Sequence, residues 1–598
     1  VITADEIRSA GVNDVNAAIR KIGGVYGRQS LDGSPDFGLD LRGFGTNSSQ
    51  NLVVLVDGVR MNENELAGSV LAGIAIDTVE RIEIVRGGSS VLYGEGATGG
   101  VINIITKRGS EAGYHGALVL ERGQFDQHDA RLSLRHGAGP LSFDLAAANQ
   151  ATDNDRSNSD FRQKSFSGGF QWAQDATRLG LRLESARQES RFPGSLTLSQ
   201  FKTDPEQTNT PDDFGNLDTD RVMAFAEHRI GNLELAAELS HREREVGAHY
   251  AYEFDGVAYV SEVDYFTRQT QFSPRLRHIK RSGALLNEFV AGVDLTRWKQ
   301  GTDLGVRFEQ DTRAVYLRDE MRWAGAANAR LALGGRHERF DKKDTLAYEP
   351  GNPFGGVPSG ERSLNAWTVE GSIDPLAGVT VHAKAGRSYR IANADENNFR
   401  SGDGLLEPQT SRDLELGVTV GDKARQVSAR VFRHRLRNEI FFDPTLFGSF
   451  GGANTNLDPT RRQGVELGAD LRLSGHVQHV KAEFTGGPNA GREMVLVPKN
   501  VLTARLAWLP SNGQSADIGA QYVAKQRYGS DFANDCAARI PSYTTFDARY
   551  AIKLGAWELA VNGLNLGDRK YFSQAFGCES GIYPSNGRQL KLSARYDF

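Results

Sequence analysis

The sequence predicts an all-β barrel that crosses a membrane, preceded by a small mixed α/β domain. The first observation is a strand with strict period-two alternation that runs to the last residue, Phe598. Its apolar members are Leu590, Leu592, Ala594, Tyr596 and Phe598, and its polar members are Lys591, Ser593, Arg595 and Asp597. Such a strand has one dry face and one wet face. Taken alone, it also suits an edge strand of a soluble β-sandwich.

The second observation is that the same alternation recurs over several hundred residues. The other apolar series are Leu179, Leu181 and Leu183; Leu233, Leu235, Ala237 and Leu239; Val465, Leu467, Ala469, Leu471 and Leu473; and Phe546, Ala548, Tyr550 and Ile552. Central strands of a large soluble protein would be longer apolar runs, because both of their faces are covered. Strands that line an aqueous lumen keep polar residues at every second position. The repetition therefore favours a membrane barrel.

The third observation is a composition without a membrane-spanning helix. The 598 residues have a mean hydropathy of -0.44, contain 67 glycines and are 39% hydrophobic, and no run reaches the about 18 apolar residues that a spanning helix needs. A barrel needs no such run, because its strands pair their backbone groups laterally. The net charge of -5 is scattered over both signs. This excludes a basic nucleic-acid-binding face and predicts no nucleic-acid partner.

The character of the chain changes near Lys107 to Gly113. Before this point, a helical pattern over residues 4–22 and short β-branched runs are separated by glycine-rich turns, as is typical of a mixed α/β domain. We therefore predict one domain over residues 1–109 and a barrel over residues 110–598. Dividing the 489 residues of the barrel by 22 strands leaves about 22 residues for each strand with its loop, which suits spanning strands of about 10 residues.

Four motifs of the first domain resemble the plug domain of the TonB-dependent outer-membrane transporters. They are Leu39–Gly45 (LDLRGFG), Val53–Arg60 (VVLVDGVR), Val79–Gly87 (VERIEIVRG) and Leu92–Thr106 (LYGEGATGGVINIIT), in the order and spacing of that family. The end of the chain, from Trp557 to Phe572 and over the terminal strand, also resembles the family. The resemblance implies a barrel of about 22 antiparallel strands with an N-terminal mixed α/β plug domain inside the lumen.

The same resemblance implies a location, partners and an activity. The protein is expected in the bacterial outer membrane, in contact with lipid and lipopolysaccharide, importing a scarce metal chelate. The energy would come through TonB and its inner-membrane energising complex. The chain starts at Val1 without a signal peptide and without the family's TonB-contacting segment, so we expect a mature or trimmed product. Phage or bacteriocins are further expected partners of its long loops.

The identity of the chelate is open at this point. Siderophore receptors are the commonest branch of the family, which favours a ferric siderophore. Cobalamin is an alternative, because residues 51–62 look similar to the cobalamin transporter. Heme is less favoured, because the stretch from Tyr389 to Gln409, where the family's heme receptors carry an axial histidine, contains none. A passive porin or adhesin is the alternative without active transport.

No motif predicts an enzyme or an intrinsic cofactor. The run from Gly94 to Gly100 lacks the Lys-Ser/Thr ending of a phosphate-binding loop, and neither a His-Glu-x-x-His nor a G-x-S-x-G motif is present. The four methionines are too few to favour copper(I) transport. The protein is therefore expected to bind and transport, with the metal arriving as part of the ligand.

Candidate ligand-binding residues lie on two plug loops, residues 30–37 and 62–72, and near the top of the predicted lumen. Arginine and tyrosine side chains there would suit an anionic, aromatic chelate, and polar loop residues would complete the pocket. The candidates are Gln29, Asp32, Asn62, Asn64, Glu65, Arg187, Arg191, His249, Tyr250, Tyr252 and Arg390. For any single loop residue, ordinary surface chemistry is nearly as good an explanation.

Three further groups of residues carry predictions. Arg81, Glu83 and Arg86 lie on a segment that faces the lumen wall, where charged groups need partners, so we expect them to anchor the plug. Cys536 and Cys578, the only two cysteines, are expected to form a disulfide in an oxidising compartment. Acidic stretches provide hard oxygen ligands for calcium, although hydrated loops explain them as well. These calcium candidates are Asp153, Asp155, Asp212 and Asp213.

Overall fold

The computed structural model describes residues 1–107, 112–325, 327–350, 356–422, 425–446, 451–470, 473–510 and 512–598. The predicted domain boundary at residue 109 lies outside these ranges and stays a prediction, as do the positions of Leu471 and Arg472 in the alternating series. Among the described residues, no helix is long and apolar enough to cross a membrane.

Residues 1–107 form a small α/β domain. Its strands are β1 Ile2–Thr3, β2 Tyr26–Arg28, β3 Gly38–Asp40, β4 Leu52–Val56, β5 Val59–Arg60, β6 Val79–Arg86 and β7 Gly100–Thr106. Its helices are α1 Ala4–Ala10, α2 Val15–Lys21 and α3 Ser90–Tyr93, with single 3-10 turns at Gly45–Asn47, Ser49–Asn51 and Ile76–Thr78.

One mixed sheet organises this domain, with strand order β1-β6-β7-β4-β5 and a parallel pair, β4 and β7. The Thr3 hydroxyl and the Glu6 carboxylate form a reciprocal capping box that starts α1. The Asp14 side chain accepts a hydrogen bond from the Ala17 N–H and starts α2. The β-branched strands and the apolar side of α2 then bury a common core, represented by Ile19 and Ile102.

Among the described residues, 22 antiparallel strands close into one barrel. They are β8 Gly113–Gly123, β9 His128–Ala138, β10 Leu141–Thr152, β11 Phe161–Gln174, β12 Thr177–Arg191, β13 Phe214–Ile230, β14 Leu233–Phe254, β15 Val257–Ser282, β16 Leu285–Thr302, β17 Gly305–Trp323, β18 Ala329–Asp344, β19 Gly360–Leu376, β20 Val379–Arg390, β21 Gln409–Gly421, β22 Gln426–Arg437, β25 Thr460–Asp470, β26 Leu473–Phe484, β27 Asn500–Trp508, β28 Gln514–Val523, β29 Tyr543–Leu554, β30 Trp557–Leu564 and β33 Gln589–Asp597. The C-terminal β33 pairs with β8 and closes the ring. The predicted fold class is confirmed.

Short elements occur in the loops between the barrel strands. Two small hairpins consist of β23 Glu439–Asp443 with β24 Ala453–Leu457, and β31 Phe572–Ala575 with β32 Ile582–Pro584. The helices α4 Leu198–Thr203 and α5 Ala394–Asn398 lie in two other loops.

The alternation places its apolar residues on the outside of the barrel. Leu181 and Leu183 are 43% and 47% exposed, whereas Arg182 between them is 8% exposed and faces the lumen. The terminal strand behaves alike, since Leu592 and Phe598 are exposed. An outward apolar band around a charged interior is the pattern of a membrane barrel.

The two rims of the barrel differ. One rim carries two-residue connections such as residues 139–140 and 231–232, and the other carries long loops such as residues 192–213 and 565–588. The start of the chain lies at the short-turn rim, because Arg8 in α1 forms ion pairs with Glu558 and Asp597 near the ends of β30 and β33. The N-terminal domain therefore fills the lumen upward from this rim, and we call it the plug.

Candidate functional site

Charged pairs hold the plug to the lumen wall. The pairs, with the plug residue first, include Arg8 with Glu558 and Asp597, Lys21 with Asp547, Arg42 with Glu415 and Glu466, Asp57 with Arg182, Asp77 with Arg131 and Arg595, Glu63 with Arg242, and Glu65 with Arg244. Most of these charges are largely removed from bulk water, and a charge buried in this way needs its partner. The plug is thus fitted to this barrel by charge as well as by shape.

Arg42 is the most enclosed of the plug cations in these pairs. Its residue has a positive φ of 70°, and its guanidinium donates to the two carboxylate oxygens of Glu466 at 3.2 and 3.0 Å, contacts Glu415 and lies 4.2 Å above the Phe432 ring. The side chain is 1% exposed. The motif around Arg42 was identified in the sequence, but this role was not, because its partners lie about 400 residues further along the chain.

The three predicted anchoring residues have different surroundings. Arg86 donates to the Gly23 carbonyl at 2.9 Å, and its guanidinium lies 3.8 Å from the Glu466 carboxylate of the wall. Arg81 instead pairs with Glu83 at 2.8 Å and with Glu80, all on β6 and partly exposed. The described ion pairs of Arg81 and Glu83 therefore stay within the plug.

A buried ionic cluster joins the plug loop at residues 62–66 to strands β14 to β16. Glu63 accepts hydrogen bonds from Arg242 at 2.6 Å, from the Thr267 hydroxyl at 2.6 Å and from the Trp298 indole at 3.2 Å. Glu65 contacts Arg244 and accepts a hydrogen bond from the Tyr265 hydroxyl at 3.2 Å. Both glutamate side chains have no exposed surface. Burial raises the pKa of Glu65 to about 7, against the opposing effect of Arg244.

A cavity of about 1010 Å³ lies above this cluster, between the plug and the long-loop rim. Its lower wall consists of the two plug loops, residues 30–39 and 62–71, and its side wall consists of β12 to β15 and the loop at residues 192–213. We call it the vestibule. The two loops that the sequence singled out therefore meet at one cavity.

The vestibule is lined by aromatic rings and carboxylates. The aromatic residues are Phe37, Phe192, Tyr250, Tyr265 and Tyr583, and the charged residues are Asp32, Asp36, Asp213 and Arg244. The Phe192 and Tyr250 rings stack with their centres 5.7 Å apart. The carboxylates of Asp32 and Asp213 both interact electrostatically with the Tyr250 phenol. A plug loop, a barrel loop and a barrel strand thus contribute to one group.

Asp36 joins the two plug loops at the base of the vestibule. Its Oδ1 accepts hydrogen bonds from the Leu71 and Ala72 N–H groups, both at 3.0 Å. Burial, together with the nearby Asp14, raises the pKa of Asp36 to about 7 despite these two donors. Asp36 therefore titrates near neutral pH at a point where both loops meet.

A second cavity of about 250 Å³ lies between the plug and the wall, next to the vestibule. Ser34 and Phe37 line both cavities. Its other lining residues include the polar Asn13, Arg549 and Lys591. The two cavities are therefore neighbours, separated at Ser34 and Phe37.

The predicted ligand-binding residues fall in several places. Asp32, Asn62 and Tyr250 line the vestibule, and Gln29 lines the second cavity. The Asn62 side chain is held by the Val54 N–H at 2.8 Å and the Leu52 carbonyl at 3.0 Å.

The remaining plug candidates and Arg390 lie outside the vestibule lining. Asn64 contacts Lys342 at 3.2 Å, and Glu65 belongs to the ionic cluster below. Arg390 is 1% exposed and forms two 2.8 Å hydrogen bonds with Glu396. Its charge is already balanced by Glu396.

Arg187 and Arg191 do not line the vestibule, and the alternation of β12 explains why. Both have the same parity as the outward-facing Leu183, so they share its face. Arg187 pairs with Asp220 at 2.7 Å on the neighbouring strand, and the Arg191 guanidinium lies 5.1 Å from the Phe214 ring centre.

The two other barrel candidates lie on the β14–β15 hairpin. His249 shares the outer face of β14 with Leu239, stacks on Phe214 at 4.9 Å and contacts Glu262 at 2.6 Å. Tyr252 stacks on Tyr259 at 5.6 Å near the hairpin tip and is 53% exposed. Neither side chain is part of the vestibule lining.

Two of the four calcium candidates accept hydrogen bonds from backbone groups. Asp155 accepts from the Gly587 N–H at 2.5 Å and Asp213 accepts from the Ala251 N–H at 2.8 Å, whereas Asp153 interacts with Asp160. Within the described ranges, no three histidine, cysteine or acidic residues form a group that could hold a metal ion. Calcium binding stays a prediction.

Cys536 and Cys578 are bonded to each other, and their Cα atoms lie 5.5 Å apart. The disulfide joins the loop at residues 524–542 to the loop at residues 565–588. A small apolar cluster that includes Tyr528, Ile540 and Phe572 packs beside it. The two loops therefore form one covalently linked unit on the long-loop rim.

A closed 22-stranded barrel with a folded plug in its lumen, and a cavity between that plug and the long loops, defines a plugged outer-membrane-type receptor barrel. Residues 112–566 match the TonB-dependent receptor-like β-barrel family, and residues 1–101 match the TonB-dependent receptor plug domain. The chain belongs to the TonB-dependent receptor family.

Known proteins of two functional types resemble this chain. The metal-pseudopaline receptor CntO of Pseudomonas aeruginosa is 24% identical, with 87% of this chain and 80% of that protein covered. The vitamin B12 transporter BtuB of Vibrio vulnificus is also 24% identical, over 100% of this chain and 92% of that protein. The solved siderophore receptor PiuA from Acinetobacter baumannii shares the fold with a TM-score of 0.81 at 15% identity, covering 100% of this chain and 96% of that one. These relatives are receptors and transporters.

Proposed function

We propose that this protein imports a metal chelate, in the first place a ferric siderophore, across the bacterial outer membrane by TonB-dependent active transport. The observation that carries the proposal is the vestibule, because its walls come from both the plug and the barrel. A ligand that contacts both parts would bind more tightly to one arrangement of the plug and the barrel than to another. Only such a difference in affinity can shift the plug between states. In a receptor with this geometry, ligand binding in the vestibule can change the state of the plug at the opposite rim.

The remaining parts of the proposal follow from the two rims. Short connections are typical of the periplasmic side and long loops of the outer side, so the vestibule would face the exterior. The start of the plug at the short-turn rim would then be available to TonB. Lipid and lipopolysaccharide would contact the outward apolar band, and the long loops would be the surface that phage or bacteriocins use. The protein would act without catalysis and without a cofactor of its own.

Cobalamin is the second candidate ligand. It is favoured by the similarity to a vitamin B12 transporter over the whole of this chain. A cavity of about 1010 Å³ is at the upper end of the range for small-molecule sites, so its volume suits a large chelate of either kind.

Direct binding tests the ligand. The purified full chain in detergent would be titrated with ferric hydroxamate, ferric catecholate and ferric citrate complexes, with cobalamin and with heme, each with and without calcium, by tryptophan fluorescence and calorimetry. Saturable binding of one ferric chelate is expected. Binding of cobalamin alone would replace the siderophore with the second candidate, and an effect of calcium would implicate the acidic loops.

Uptake by cells tests the transport step. Cells that carry the receptor should accumulate the bound chelate only when TonB is present. Equal uptake in cells without TonB would contradict active transport and favour a passive pore.

A further inference from the structure

We propose that the vestibule selects neutral or positively charged chelates that present N–H donors, and that it rejects polyanionic chelates. This inference rests on the proposed function and specifies the chemical class of its ligand. The sequence predicts arginines around an anionic chelate, whereas in the structure carboxyl groups and aromatic rings line the vestibule.

The charges of the vestibule are unbalanced towards negative. Three carboxyl groups, those of Asp32, Asp36 and Asp213, line it together with one guanidinium, that of Arg244. Asp36 carries its full charge only above its pKa of about 7. The Arg244 guanidinium contacts Glu65 and lies 4.0 Å from the Glu63 carboxylate, so much of its positive potential is offset. A cavity with walls of one sign and low-dielectric surroundings concentrates solutes of the opposite sign.

The three carboxylates are held by neutral donors. Asp32 accepts hydrogen bonds from the Ser30 hydroxyl at 2.6 Å and the Ser34 N–H at 3.0 Å. Asp36 accepts two from backbone N–H groups, and Asp213 accepts one from the Ala251 N–H at 2.8 Å. These bonds orient the carboxylates without supplying a counter-charge. A positively charged group of a ligand would supply it.

The aromatic rings of the vestibule point to the same class of ligand. Stacked Phe192 and Tyr250 present aromatic surface beside Asp213, and aromatic faces attract cations. A polyanionic ligand, by contrast, would have to face the three carboxylates.

The arginines near the vestibule do not compensate its negative charge. Arg187 and Arg191 lie on the outer face of β12. Arg156 lies behind the wall, where its guanidinium donates to the carbonyls of Pro193, Gly194 and Gln207. It is not part of the vestibule lining.

Charged thiol reagents test the potential of the vestibule without knowledge of the ligand. The chain's two cysteines are bonded to each other, so an introduced cysteine is the single free thiol. Ser190→Cys places it on the barrel wall and Ala67→Cys on the plug loop, and both positions line the vestibule. Each variant would be treated with two methanethiosulfonate reagents, one that carries a trimethylammonium group and one that carries a sulfonate group. Leu304→Cys, 94% exposed on another loop, is the reference.

At both vestibule positions, we expect the ratio of the reaction rate of the cationic reagent to that of the anionic reagent to be at least about fivefold higher than at Leu304→Cys. The reason is that several charges lie within about 10 Å. Asp32→Asn and Asp213→Asn keep the size of the side chain and should each reduce this preference. Asp303→Asn, outside the vestibule, should leave it unchanged. An equal or greater rate for the anionic reagent at both vestibule positions would overturn the proposal.

A matched pair of chelates tests the ligand class. Ferrioxamine B carries an ammonium group, and its N-acetyl derivative lacks that charge but holds iron identically. The ammonium form should bind about threefold or more tightly, and a trianionic ferric tris-catecholate should bind weakest. Tightest binding of the trianion would overturn the selectivity and leave transport intact. A cationic preference of the reagents with no binding or uptake of any chelate would instead contradict the proposed function.

Discussion

Asp36 is the residue through which pH is expected to act on the vestibule. Its pKa is about 7, and the titratable groups that face it are Asp14 on α2 and Asp32 on its own loop. As pH rises through 7, Asp36 loses its proton and the vestibule gains a negative charge. The rate ratio of the cationic to the anionic reagent at Ser190→Cys should therefore rise by about two- to fivefold between pH 6 and 8.

The control for this pH effect is Asp36→Asn, which preserves an oxygen acceptor for the Leu71 and Ala72 N–H groups but cannot ionise. Its rate ratio should rise clearly less over the same range, the remaining rise coming from Glu65 below the vestibule, whose pKa is also about 7. Because both reagents attack the same thiolate, the ionisation of the cysteine cancels in the ratio. A rise of equal size in this variant would show that another group titrates.

Arg42 is expected to be the strongest single anchor of the plug. Arg42→Met would leave Glu466 and Glu415 in the wall without this partner, and removing one member of a buried ion pair costs about 3–5 kcal/mol. Arg81→Met is the matched control, because Arg81 pairs on a partly exposed strand, where such pairs contribute about 0–1 kcal/mol. The susceptibility of the plug to protease, followed against denaturant concentration, would measure the loss of plug stability in both variants. Equal losses for the two variants would contradict the ranking.

At the scale of elements, the disulfide is expected to stabilise two loops rather than the barrel. It spans 42 residues, but the paired strands β29 and β30 lie between its cysteines and already close that loop. The loop-entropy gain that a disulfide gives an open chain is therefore mostly supplied by strand pairing. In the double variant Cys536→Ala and Cys578→Ala, hydrogen exchange over residues 524–542 should rise while the melting temperature of the barrel stays within a few degrees. A large fall in that temperature would contradict this view.

The elements also show what the sequence could predict. Period-two alternation identified the outward faces of the strands, and the same rule would have placed Arg187 and Arg191 outside, since they share the parity of Leu183. The sequence alone therefore contains the signal that places these two arginines. The vestibule is different, because its walls come from residues 30–39, 62–71 and 188–265 together with Tyr583. No local spacing encodes how such distant segments meet, so its acidic character became visible only in three dimensions.

At the scale of the whole molecule, the plug and the barrel depend on one another through charge. The lumen wall presents charged residues, among them Glu466, Arg242 and Arg244, that are buried only because the plug covers them. Without the plug these groups would be hydrated, as in a water-filled barrel. The wall is thus compatible with both a closed and an open lumen, whereas an apolar wall would not be.

Removal of the plug is therefore expected to leave a folded, conducting barrel. Deletion of residues 1–107 should turn a closed protein into a pore with stable conductance in planar bilayers, since a 22-stranded barrel is wide enough for a channel when nothing fills it. The full chain with Arg42→Met is the control, because it loosens an anchor but keeps the plug. Conductance of the deletion variant equal to that of the full chain would contradict the assignment of residues 1–107 as the closing element. Conductance that appears also in the control would instead show that the ionic anchors, and not only the presence of the domain, keep the lumen closed.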